Sequence, residues 1–426
     1  MKVGVIGSGP SSSVVVSNLI KLGYQVEVID IGEVYDDSIS EKNITTKLKS
    51  FFGSNFIYDQ TSLKYNSLKG VFPSQSYGGY SLVWGATLSN MNPQIGDEYY
   101  FQPNLVQVRK SKSLLFEDEK FGLAIDKNKC NFCGQCLIGC KQSAIWDSRK
   151  ILDPLIINGR VKYFKARVNK IVKIGNMIKI YTDNFDSLLY EKVVLCTGPL
   201  STVKILHESK AIDLPLTLND TETFFGILLR FPKPLNKLEF SLTQRIISIK
   251  IEKNTIARVQ LYLDPRGLRY RYVPMKYANF PLIRLIFNIF SPFCVPFIGY
   301  LPEKNSSQIF IEEFKKDISV KSRITGEKIH KFRLYRKLFT SFSALGMLLV
   351  GYKFSGTGSG YHFGGLRGND SADSIRLSSK VQGFSNLYVM DASILDVIPF
   401  QEFTSGLMKE IEIRIKSLFP NINSNI

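Results

Sequence analysis

Lys2-Val3-Gly4-Val5-Ile6-Gly7-Ser8-Gly9-Pro10-Ser11-Ser12 opens the chain, and its reading decides the fold. Residues 2–6 are a short apolar run rich in Val and Ile, the signature of a buried strand. A glycine turn follows, and residues 11–23 then carry Val, Leu and Ile at helical spacing. Gln25-Val26-Glu27-Val28-Ile29-Asp30 is a second strand. The whole is a β-α-β unit. Gly7 permits the tight turn, Gly9 lets the backbone approach a pyrophosphate, and Pro10 begins the helix whose N-terminus meets that charge. Ser12 stands where a third glycine is usual, and it is small enough to keep helix and strand packed. Asp30 ends the second strand, where a carboxylate accepts hydrogen bonds from ribose hydroxyls. The turn reads as a dinucleotide cradle. The alternative is a packing turn in another α/β fold, and the motif alone does not choose between FAD and NAD.

Outward from this unit, residues 33–70 are polar and irregular, and 80–125 have no strong period. Residues 160–198 alternate in strand fashion, ending in the buried run Lys192-Val193-Val194-Leu195. Between 220 and 350 several strand-like pieces are separated by turn signals, which predicts an antiparallel sheet. Asn386–Asp391 is another buried strand, and 404–417 a helix.

Three later segments carry a resemblance. Ser76-Tyr77-Gly78-Gly79-Tyr80-Ser81-Leu82-Val83-Trp84-Gly85-Ala86, Val194-Leu195-Cys196-Thr197-Gly198-Pro199 and Gly383–Ser393 each resemble, in order, a flavin segment of the glucose–methanol–choline (GMC) oxidoreductases. The resemblance covers about residues 1–30, 75–90, 128–205 and 355–417, and fades across 220–350. It implies an α/β fold: a Rossmann-like FAD-binding domain with a second, mainly antiparallel α+β substrate domain. The expected division is 1–215 with 351–426 for FAD, a cysteine insertion at 126–150, and 216–350 for substrate. It implies cofactor contacts at Gly78, Gly79, Trp84, Gly85, Val168, Gly198, Asp391, Ala392 and Thr404, beside Gly7, Gly9, Pro10, Ser12 and Asp30. The chain is short for the family, and the lost length is expected in the substrate domain.

Family members pass a hydride from an alcohol to the flavin while a base takes the hydroxyl proton. Gly360-Tyr361-His362-Phe363-Gly364-Gly365 is similar to the segment holding that base, so His362 is the candidate. A structural histidine is the alternative. A second His or Asn is usual after the Asp-Ala-Ser strand, and here Gln401 and Glu402 occupy the slot. Gln401 can hydrogen-bond a substrate hydroxyl. Glu402 can act as a base if desolvated, although a carboxylate beside reduced flavin is electrostatically awkward. The departure permits reduction or isomerisation as well as oxidation.

Cys130-x2-Cys133-x2-Cys136-x3-Cys140 has ferredoxin spacing, but Lys141 follows where ferredoxins have Pro. A 4Fe-4S cluster needs Cys140 in altered geometry, or Cys196 or Cys294 from afar; a 3Fe-4S cluster needs only three thiolates. Zinc and no metal are the alternatives. Some bacterial relatives relay electrons through such a cluster.

The 426 residues are 44 % hydrophobic and 22 % charged, an ordinary globular balance for more than one domain. The formal net charge is +18. Nucleic acid is not expected, because no binding signature accompanies the basic residues. A scattered solvated face is the default, and an anionic membrane surface or substrate the sharper reading. The N-terminus has no signal-peptide pattern, so the expected location is cytoplasmic, with a possible peripheral contact at the inner membrane face. Residues 279–301 and 338–351 are strongly apolar, and read as core or as a bilayer-interface surface. The expected function is a dehydrogenase acting on a CH-OH group of a sugar or lipid-linked sugar, passing electrons to a protein or quinone. The rivals are an oxidase using O2 with structural cysteines, and a non-catalytic flavin-binding protein.

Overall fold

The computed structural model describes residues 1–32, 64–65, 73–82, 84–88, 92–93, 95–102, 116–132, 136, 140, 142–184, 187–230, 242–251, 254–262, 277, 280–290, 293–315, 317–323, 331–358, 361–399 and 403–422. Strand Lys2–Ile6 is its axis. It pairs in parallel with Gln25–Asp30 on one side and with Lys192–Leu195 on the other. Val161–Lys165 and Leu387–Val389 complete a five-stranded parallel sheet at its two edges. Val3, Val5, Val28, Val193 and Val194 are wholly buried, which explains why these strands read as continuous apolar runs. Helix Pro10–Lys21 covers one face and packs against helix Phe403–Leu418.

Among the described residues, four antiparallel or mixed sheets accompany this one. The largest has six strands in the order Met347–Gly356, Thr223–Arg230, Cys294–Tyr300, Asn254–Tyr262, Thr243–Ile251 and Phe116–Asp118. Its two faces have different chemistry. Phe224, Leu228, Val259, Phe297 and Leu349 turn to one side and form a core with Leu334, Leu338 and Phe342 of helix Lys331–Ala344. Each such side chain contributes about 1.5–3 kcal/mol on burial. Thr223, Phe225, Gln260, Tyr262, Ile298, Tyr300 and Ser355 turn to the other side and wall a cavity.

The fold class read from the sequence holds: a Rossmann-like parallel sheet joined to antiparallel sheets. The expected boundary at 350/351 falls inside strand Met347–Gly356, and Phe116–Asp118 joins the six-stranded sheet from the other side of the boundary at 215. Strand pairing crosses both limits, because long-range hydrogen bonds leave no local mark in sequence. The apolar stretch 279–301 is neither all core nor all surface. It divides into the exposed helix Pro281–Phe290 and the inner strand Cys294–Tyr300. Among the described residues no helix is long and apolar enough to cross a membrane.

Candidate active site

The turn after the first strand is shaped first by its backbone. Gly7 has φ +108°, and its amide donates to the Ile29 carbonyl at 2.8 Å. A Cβ at Gly7 would stand 2.4 Å from the Cys196 carbonyl oxygen. Gly9 precedes helix Pro10–Lys21 and supplies no side-chain cap, so the first-turn amides face the cavity without a side-chain acceptor at the cap. Gly79 is stacked on this turn, and a Cβ there would lie 3.1 Å from Gly9 Cα.

A buried hydroxyl network fastens the turn to its neighbours. Ser148 Oγ donates to the Ser8 carbonyl at 2.7 Å, and the Gly78 amide donates to Ser8 Oγ at 2.9 Å. Ser81 Oγ donates to the Gly78 carbonyl at 2.6 Å and accepts from the Ser148 amide at 3.0 Å. Three segments distant in sequence thus share one set of hydrogen bonds. Serines have no periodic signature, so the bonds that join Ser8, Ser81 and Ser148 left no mark in the sequence.

One cavity of about 700 Å³ runs from this cradle to His362. Gly7, Gly9, Pro10, Asp30, Gly79, Trp84, Gly85, Val168, Gly198, Asp391, Ala392 and Thr404 all line it. Two expected members do not. Ser12 is fully buried on the helix side facing the core, and Gly78 is turned inward to the serine network. Both support the cradle from behind. Gln401, Glu402 and Cys133 lie outside the described residues. Helices Pro199–Glu208 and Phe403–Leu418 also begin at the wall, which brings two more positive helix ends to it. Asp391 is tied within the protein: Thr202 Oγ1 donates to it at 2.5 Å and the Ser393 amide at 2.9 Å.

Burial pushes the Asp30 carboxyl up to about 7, although hydrogen bonds from Ser8 and the Gly32 amide pull it back. Burial likewise pushes Asp220 up to about 8; its Oδ2 accepts from the Gly358 amide at 2.6 Å, beneath the loop that carries His362. Both acids hold protons in the fold that they release in the unfolded chain above about pH 4. Their stabilising contribution is therefore complete below that pH and is lost as pH rises through 7 to 8. The ligand-free protein is expected to melt about 5 °C or more higher at pH 5.5 than at pH 8.5. Scanning calorimetry checks this, and Asp220→Asn should remove part of the difference.

His362 stands between two rings. Tyr300 and Phe403 each lie 5.0 Å from it, centroid to centroid, at 11°. The Thr221 amide donates to its carbonyl at 3.1 Å. Burial, then the Arg258 guanidinium, lowers its pKa to about 3, so the imidazole is neutral at physiological pH. Tyr262, with its phenol pushed up to about 12 by burial, remains a hydroxyl and donates to Gln260 Oε1 at 2.8 Å. Tyr300, Phe403 and Arg258 were not singled out in the sequence, since nothing in their spacing ties them to His362.

Cys130, Cys136 and Cys140 line one small pocket of about 10 Å³ with Ile125, Phe132, Ala144 and Ile145. Cys140 Sγ accepts from the Ala144 amide at 3.3 Å. Among the described residues no three His, Cys, Asp or Glu side chains come together as a metal group. Cys196 lies in the cavity wall and Cys294 on the six-stranded sheet, so neither is the remote ligand the spacing allowed. Trp146, which follows Ile145 in the chain, meets Trp84 of the cavity wall edge-on at 5.6 Å.

The fit to a dinucleotide rests on these features: an open glycine cradle, uncapped helix amides, and the Asp30 carboxyl at the cavity wall, fixed by Ser8 and the Gly32 amide. No protein-family model and no curated protein sequence matches the chain. Among solved structures, the chain is similar in fold to pyridoxine 4-oxidase from Mesorbium loti, at 12 % identity and a TM-score of 0.62, with 98 % of each chain covered.

Proposed function

We propose that the chain is an FAD-dependent oxidoreductase of the GMC type acting on a CH-OH group. The observation that carries this reading is the single cavity joining the Gly7–Gly9 cradle to a neutral His362. Bound FAD would supply the hydride acceptor. Gly7, Gly9 and the helix starting at Pro10 would hold its pyrophosphate, and Asp30 its ribose. Val168, Gly198, Asp391 and Ala392 would flank it, and the helix end at Thr404 would favour negative charge on its ring. His362 would take the hydroxyl proton. Gln401 and Glu402 remain proposed helpers in substrate binding or proton transfer.

Near His362 the wall mixes aromatic and aliphatic surface with the polar groups of Thr223, Gln260 and Ser355 and the hydroxyls of Tyr262, Tyr300 and Tyr361. This suits an alcohol with one polar end and an apolar body, such as a lipid-linked sugar. In the proposal, Cys130, Cys133, Cys136 and Cys140 would hold an iron–sulfur cluster, which would supply an electron relay towards a protein or quinone. The ferredoxin spacing and the Trp146–Trp84 contact favour it. The second reading is an oxidase in which O2 is the acceptor and the cysteines are structural; the small cysteine pocket favours that. A visible spectrum with iron analysis on anaerobically purified protein tests the whole. Flavin bands are expected in every enzymatic case, and a protein without them overturns the reading. Broad absorption with several irons per chain supports the relay, whereas iron-free flavoprotein that makes peroxide under air leaves the oxidase. Flavin that no alcohol reduces leaves a non-catalytic binding protein.

A further inference from the structure

We propose that helix Pro281–Phe290 docks this protein onto the surface of an anionic lipid bilayer. Leu282, Leu285, Ile286, Ile289 and Phe290 follow the i, i+3, i+4, i+7, i+8 pattern, so they share one face of the helix. That stripe normally faces a core. Here the same five residues are 65, 55, 40, 56 and 58 % exposed. Tyr277 and Phe280, just before the helix, extend the patch and are exposed too. An apolar patch this continuous marks a surface that meets lipid or another protein.

Charge decides between them. From Pro265 to Pro302 the sequence holds Arg266, Arg269, Arg271, Lys276 and Arg284, and no acidic residue. The whole chain carries +18. An apolar helix face set in a purely basic segment is complementary to anionic headgroups above acyl chains. Ten residues make a helix of about 15 Å, enough to lie in the interface and too short to span. The cavity-wall face of the six-stranded sheet also leads to the end of the strand that follows the helix in the chain. Phe225 and Ile298 of the wall are paired, and the same face continues to Leu229, paired with Cys294 and with the exposed Leu348. Cys294 begins the strand that follows the helix. The docking proposal does not depend on what reaction the cavity performs.

Co-sedimentation of the full chain with vesicles tests it. The protein is expected to pellet with phosphatidylcholine vesicles containing phosphatidylglycerol, and much less with phosphatidylcholine alone or in high salt. The double variant Leu285→Asp/Ile289→Asp should weaken vesicle binding by more than about tenfold, since two aliphatic side chains no longer enter the lipid. Its melting temperature and absorption spectrum should match the unaltered protein, because both side chains are exposed. A chain that stays in the supernatant with anionic vesicles overturns the proposal. So does a variant that pellets as well as the original. A solution dimer that the double variant splits would assign the patch to a second copy instead.

Discussion

Replacing His362 by alanine is expected to slow anaerobic flavin reduction, by an alcohol that bleaches the unaltered protein, at least about 100-fold. Flavin content should stay the same, because the cradle is at the other end of the cavity. The argument begins with the proton. An imidazole with a pKa of about 3, enclosed by Tyr300 and Phe403 and facing the Arg258 charge, does not protonate on its own account. In the proposed reaction it would accept a proton only as negative charge forms nearby, so proton uptake would be coupled to hydride departure rather than precede it. The pH profile should carry the same message. His362 should impose no acid limb near 6.5, and the NMR signals of labelled histidine should show His362 unchanged from pH 5 to 8. Because the chain has three histidines, assignment by single substitution is direct. A His362→Ala protein that reduces its flavin at the original rate would remove His362 from the chemistry.

Gly7→Ala is expected to destabilise the ligand-free protein by about 2–5 kcal/mol and to empty it of cofactor. The new Cβ meets the Cys196 carbonyl oxygen at 2.4 Å and its carbon at 2.9 Å. Neither strand can give way, since the Cys196 amide is itself bonded to the Ile6 carbonyl at 2.8 Å. The backbone adds strain of about 1–3 kcal/mol, because φ +108° is a region that L side chains avoid. Overpacking contributes a similar amount. Gly346→Ala, away from the cavity, is the matching control. Its φ is +74° but nothing lies within 4 Å of the added Cβ, so it carries strain without collision. Melting temperature and bound flavin per chain should fall far more for Gly7→Ala than for Gly346→Ala. Equal losses would show that turn strain, and not the approach to Cys196, decides the site.

What was legible in the sequence follows from range. The first strand, helix and second strand announce themselves because their signals are local: Val and Ile runs, a glycine turn, and an acid at a fixed distance. The strand Lys192–Leu195 and the helix Phe403–Leu418 were recognisable for the same reason. The partners of His362 were not. Tyr300 and Phe403 come from a distant strand and helix, and only the folded sheets bring them to its two sides. Ser12 looked like part of the cradle because its place in the motif is right, but helical rotation turns it into the core. The helix Pro281–Phe290 had two readings, core or a bilayer-interface surface. Its residues have the pattern of a buried stripe, and only the fold shows that the face points outward.

The serine network around Ser8 has a thermodynamic consequence. Ser148 immediately precedes helix Arg149–Ile157 and follows the cysteine segment closely in the chain, yet its hydroxyl is bonded to the carbonyl of the first glycine turn. Opening any one of the three segments breaks bonds belonging to the other two, so they should open as one cooperative unit. A ligand that binds the turn therefore stabilises residues it never touches. Amide exchange should slow together at Gly7–Gly9, at Gly78–Leu82 and along 148–157 when the cradle fills. The cysteine segment would then be held in register by the same event that loads the active site.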